Sequence, residues 1–257
     1  RIFSPDSRER SLDQFFSTHP QTSDRVTNVI RQAGGAPDAE NLPRLRDRFL
    51  DQIRDMIYGD SPEDGFVRKQ TFSHLELGFT FTVPDGFRIT NSSKAVVAKG
   101  PNGARILFDA APKPPRYMLM GDYLVQEWAK GAKLRDVETL KINGLDAATG
   151  RTMGASGGEK VEVRLIAIRF SRDHIYRFQF ATPQQSTATH AEALQRTTYS
   201  FRKLSEAEKA TLKPLRVRVA KVRSVDSIES LSKAMAYGDY QEDRFRVLNG
   251  LGPDAVL

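Results

Sequence analysis

The chain has 257 residues and carries 39 Lys and Arg against 32 Asp and Glu, a formal charge of +7, so it is long enough for one large domain or two to three small ones. Its hydrophobic share of 39%, charged share of 28% and 15 Phe suit a packed protein better than a disordered one, and no apolar run approaches the roughly 20 residues needed to cross a bilayer. Cysteine is absent, which removes disulfides, thiol catalysis and cysteine-ligated zinc and leaves the compartment open. The cations are spread along the sequence as on a solvated basic surface. Attraction to anionic envelope lipids or cell-wall polymers is a weaker reading, and no nucleic-acid motif is present.

Arg1 opens directly into polar sequence with no charged-then-apolar segment, so the start reads as a cut or processing point. Residues 1–33 read as two short helices. Leu12, Phe15 and Phe16 share one face before Ser17-Thr18-His19-Pro20 interrupts, and Val26, Val29 and Ile30 mark a second apolar stripe that Gly34-Gly35 ends. After a linker, Leu42, Leu45, Phe49, Ile53, Met56 and Ile57 predict one amphipathic helix ending at Tyr58-Gly59. Asp60 to Gly65 is a polar turn that suits a hinge.

From about Thr71 the period changes to two. Phe79, Phe81 and Val83 alternate with threonines, and Ala95 to Ala98 with Ala104 to Phe108 predict a hairpin. Tyr117 to Lys130 predicts a helix carrying Leu119, Tyr123, Val125 and Trp128. Strands follow at about 137–142 and 145–153, then a strong hairpin of Val161 to Phe170 with Ile175 to Phe180, then a helix from Thr187 to Phe201. Ser205 to Lys213 reads as a charged helical spacer. The tail reads as a strand over Leu215 to Val222 and two helices, Ile228 to Met235 and Arg244 to Asn249. The whole predicts an α+β protein: a short helical remnant, an antiparallel sheet sandwich with packed helices, and a small α/β tail. The expected boundaries are 1–35, 36–70, 71–204 and 205–257.

Motifs for catalysis are missing. There is no His-Glu-x-x-His, no phosphate loop and no Gly-x-Ser-x-Gly, and His19, His74, His174 and His190 are far apart in sequence. Glu206 and Glu208 read as solvent-facing residues of a charged helix. By itself this chain is expected to be inactive.

One pattern stands out. Ser17-Thr18-His19-Pro20 followed by Asp24-Arg25 resembles the segment downstream of the zinc helix in the family-48 zinc metallopeptidases, the CAAX-protease, HtpX and BepA-like group. The resemblance continues through Tyr58 to Val67 and through Leu77 to Phe87. It implies that His19 approaches the catalytic zinc, as a donor to the oxyanion or as a ligand that keeps the enzyme latent. It implies that Arg25 pairs with the zinc's carboxylate ligand. Zinc is expected in the intact parent, held upstream, and no cofactor is expected for this chain alone.

Residues 71–203 resemble the PsbP/Mog-type sandwich, a docking or binding domain, with Phe79, Phe81, Phe87 and Trp128 expected in its core. Residues 222–251 resemble a degenerate LysM module, in which Val225 replaces the usual turn glycine. The resemblance implies a C-terminal, non-catalytic portion of a periplasmic or envelope zinc metalloendopeptidase. Its partners would be the upstream catalytic domain, envelope protein substrates and, through the tail, peptidoglycan; nucleic acid and a membrane-spanning role are not expected. The alternative is a non-catalytic envelope protein that binds peptidoglycan or a partner protein.

Overall fold

Strands built on period-two alternation must bury one face, and two sheets here bury theirs against each other. The computed structural model describes residues 29–32, 45–156, 158–237 and 240–256. By internal packing the chain divides into a larger unit built on Ser61–Lys213 and a smaller one joining Pro43–Asp60 to Pro214–Leu257.

In the larger unit, Phe66–Arg68 (β1), Thr71–His74 (β2) and Phe79–Thr82 (β3) form a small sheet that Arg202–Lys203 (β11) completes, in the order β1-β2-β3-β11. The second sheet is made of Arg88–Asn91 (β4), Val96–Lys99 (β5), Arg105–Ala110 (β6), Arg135–Ile142 (β7), Leu145–Ser156 (β8), Glu159–Ser171 (β9) and His174–Pro183 (β10). Its order is β4-β5-β6-β10-β9-β8-β7, and every pairing is antiparallel. This is the α+β class expected from the sequence, with both predicted hairpins in place.

Alternation assigns each side chain of β10 to one face. Tyr176, Phe178 and Phe180 enter a cluster with Phe79, Phe81, Phe108 and Phe201, so one core joins both sheets. Ile175 and Ala181 enter a second cluster on the other face. That face is covered by a helix that starts at Met120–Asp122 (α2) and continues with π spacing over Tyr123–Trp128. Thr187–Ser200 (α3) closes the first cluster through Leu194. Gly100 is required where the Phe87 ring packs, because a Cβ there would stand 2.3 Å from Phe87 Cζ.

The helix predicted from Tyr117 starts later, at Met120. Arg169 donates to the carbonyls of Pro115 and Met118 at 3.0 Å each. It thereby holds this Pro-rich stretch in a loop that leaves Tyr117 and Leu119 exposed. The strands β1, β4 and β11 have only two to four residues, too few for alternation to mark them. After β11, Glu206–Thr211 (α4) begins with a capping box between Ser205 and Glu208.

In the smaller unit the predicted amphipathic helix is confined to Arg46–Ile53 (α1). Asp55 takes a left-handed φ of 62° and ends it, so Met56 and Ile57 are not helical. The segment expected as a strand over 215–222 forms no regular strand, only an isolated antiparallel bridge between Arg216 and Ile57. It bonds to the stretch after α1, with Asp55 N–H donating to Val217 O, Val217 N–H to Met56 O and Tyr58 N–H to Leu215 O. Two helices follow, Ile228–Lys233 (α5), which opens with a capping box between Ser227 and Ser230, and Gln241–Asn249 (α6). Val225 carries no positive φ, so its turn has no need of the glycine it replaces.

Phe178 has no exposed surface and packs its ring against Phe81, Phe108, Phe180 and Phe201. Phe178→Ala is expected to lower unfolding free energy by about 3–5 kcal/mol in urea titrations, whereas Tyr117→Ala, at an exposed site, is expected to change it by less than about 0.5 kcal/mol.

Candidate functional site

His19 and Arg25, the two residues expected at a metal centre, lie outside the described residues. The remaining histidines are placed by the fold. His74 ends β2 buried against Phe72 and Phe79, and its Nδ1 accepts from Leu77 N–H at 3.3 Å. His174 sits on the β9–β10 turn with Nδ1 2.9 Å from Ser171 Oγ. His190 is buried on α3 with its ring edge-on to Phe87. The described residues contain no group of three or more His, Asp or Glu arranged to hold a metal. Zinc therefore does not fit the donors that the described part of this chain brings together. No helix among the described residues is long and apolar enough to cross a membrane.

Other polar groups have structural employment. Glu208 caps α4 and takes a two-point bond from Arg202, with oxygens 2.6 and 2.9 Å from the guanidinium. The Arg202 bonds, then those from Ser205, push its carboxyl down to about 2. Phe79, Phe81 and Phe87 are buried. Trp128 is partly buried and packs on the second cluster, with the Arg177 guanidinium 5.1 Å over its ring.

Among the described residues of the larger unit, two arrangements within the second sheet bring arginines against carboxylates or one another. The first is Arg177 on β10, opposite Asp109 on β6. Its Nε donates to Asp109 at 2.7 Å and Nη2 at 2.5 Å, both side chains being mostly buried. This forked pair pins the π-helical segment to the sheet through Trp128. Burial opposes the charge on Arg177, but the Asp109 bonds prevail and raise its pKa.

The second lies on the face of the first cluster, in a recess between β8, β9, β10 and α3. There Arg151 and Arg164 stand directly opposite one another in the β8–β9 register. Arg151 is 3.6 Å from Glu162 and 3.9 Å from Asp136. Arg164 donates from Nε to Thr149 Oγ1 at 3.2 Å. Burial, and then the neighbouring Arg151, lower the Arg164 pKa. Nothing in the one-dimensional pattern announces this pairing, because it is created by register across a turn.

No protein-family model matches the chain, and no curated protein matches it. Similar solved structures include cyanobacterial PsbP from Synechocystis, with 16% identity and a TM-score of 0.40 over 56% of this chain and 98% of that one. LpqN of Mycobacterium tuberculosis, described as involved in cell envelope biogenesis, has 14% identity and a TM-score of 0.36 over 49% and 83%. A Bacteroides thetaiotaomicron protein has 14% identity and a TM-score of 0.41 over 55% of this chain, and the match spans about half of that protein (51%). Likenesses of this strength assign this chain neither a family nor an activity.

Removing one partner of a buried ion pair strands the other charge. Asp109→Ala is expected to cost about 3–5 kcal/mol in denaturant titrations. The His74 imidazole is held below 6.5, first by burial, with Glu76 and Asp64 pulling the other way. Between the folded and unfolded values the unfolded chain binds more protons, so stability falls as pH drops below 6.5. Melting temperature followed from pH 7 to 5 is expected to decline, and His74→Gln is expected to flatten that decline.

Proposed function

We propose that this chain is the C-terminal, non-catalytic portion of a bacterial envelope zinc metalloendopeptidase. In that reading residues 1–35 complete an active-site cleft built upstream, while the sandwich and tail bind substrate or govern access. The observation that carries it is the spacing of His19 and Arg25 within Ser17-Thr18-His19-Pro20 and Asp24-Arg25. Imidazole is a good donor or ligand beside zinc, Pro20 stiffens the loop that presents it, and a guanidinium orients a ligating carboxylate. Zinc, if held in the parent by ligands upstream, would supply Lewis-acid polarisation of the scissile carbonyl, with His19 as a donor to the oxyanion or as an added ligand.

Further support comes from the smaller unit. On α1 and just beyond it, Leu45, Phe49 and Met56 are more than half exposed, and α1 buries none of its own residues. Apolar groups left open in this way suit a part that packs against more of the same protein. Envelope protein substrates and a periplasmic location belong to the same proposal.

The sequence upstream of Arg1 separates this reading from that of a free-standing envelope binding protein. His-Glu-x-x-His followed by a glutamate ligand is expected there. In the full-length protein, His19→Ala is expected to lower hydrolysis of an unfolded protein substrate by about a hundred-fold with zinc content retained. An unchanged rate at unchanged zinc content would remove His19 from the active site.

A further inference from the structure

We infer that the recess between β8, β9, β10 and α3 binds a monocarboxylate carried on a small apolar body. This is independent of the protease reading, and it follows from what the cross-strand register places together. Phe180, Arg164 and Arg151 occupy directly opposed positions on β10, β9 and β8, and Arg135 of β7 stands opposite Arg151 in turn. The row begins with an aromatic of the core and runs outward into cations. Like charges placed directly opposite one another destabilise a sheet, so the Arg151–Arg164 pair has a cost that a bound anion removes.

Arg164 is the less compensated of the two. Among the described residues it bonds only through Nε, to Thr149, and no carboxylate lies within ion-pair distance of it. The forked Nη edge of a guanidinium matches the two oxygens of a carboxylate. Its lowered pKa has the same origin, burial and a neighbouring cation, and an anion relieves both.

The charge balance selects the ligand. Of the charged side chains that line the recess, Arg151 and Arg164 are cations and Glu162, 3.6 Å from Arg151, is an anion. At the rim Arg135, opposite Arg151, is offset by Asp136, 3.9 Å from Arg151, and Glu138 of β7 acts on Arg164 from farther off, so the lining itself carries one net positive charge that Glu138 offsets in part. A monoanion satisfies that charge, whereas a dianionic phosphate would also meet the repulsion of Glu162. Phe180, Ala191 and Leu194 line the rest, and they offer water-excluding contact to a short hydrocarbon. The recess, about 50 Å³, accommodates a body of a few carbons.

The test is a methyl-resolved NMR titration of the full 257-residue chain with propionate, with propionamide as neutral isostere and with inorganic phosphate. Saturable shifts of the Ala191 and Leu194 methyls are expected with propionate and not with propionamide. Arg164→Gln is expected to weaken the effect about ten-fold or more, and Arg151→Gln provides a second, independent loss should the first variant fold poorly. Lys141→Gln, whose side chain bonds to exposed Asp146, is expected to bind as the wild type. Unsaturable shifts, an equal response to the amide, tighter binding of phosphate, or unchanged binding in both arginine variants would each overturn the assignment.

Discussion

The structure of the larger unit depends on one constraint, the packing of Phe79 between its two sheets. This side chain comes from the small sheet, yet its ring lies 5.3 Å from Phe108 and 4.5 Å from Tyr176 of the large one. It also lies 5.6 Å from Phe201, the residue that links α3 to β11. Tilted ring pairs at these distances add roughly 0.5–1.5 kcal/mol each beyond their buried area. A sheet of four short strands with little area of its own is held in place because its central side chains are shared with a larger neighbour. Ser73 and Thr80 are accommodated in the same region because their hydroxyls meet at 2.9 Å and Thr80 also donates to Phe72 O.

The same alternation that gathers the aromatics decides where charge resides. On β10, odd positions face the second cluster, and there Arg177 is neutralised by a forked bond to Asp109 and covered by Trp128. On β9, even positions face the first cluster, and there Ile168 and Ile166 give way to Arg164 and Glu162 as the strand runs back toward its start. One arginine is therefore built into the scaffold and the other is left at the margin of the core with unused donors. That difference, in partners and not in burial alone, separates a structural charge from a candidate binding group.

Much of the fold was legible in the sequence because β5, β6, β9 and β10 are rich in β-branched and aromatic residues and are bounded by clear turns. What escaped was set by tertiary context. The strand β11 is two residues long and exists only because Phe201 is anchored beside β3. The start of α2 is delayed by bonds from Arg169, which is 51 residues from Met118. Leu45, Phe49 and Met56 announce a buried helical stripe, yet they are exposed. His19 and Arg25, proposed to face a metal, rest on a motif resemblance alone and fall outside the described residues. The Arg151–Arg164 pairing was illegible, since register sets it and no local pattern does.

Native-state hydrogen exchange tests the shared core most directly. If Phe79 joins the two sheets into one cooperative body, the amides of β3 and those of β10 open with the same free energy, equal to that of global unfolding. If β3 instead exchanges through a separate, cheaper opening while β10 stays protected, the small sheet is an appendage and Phe79 does not unite the two.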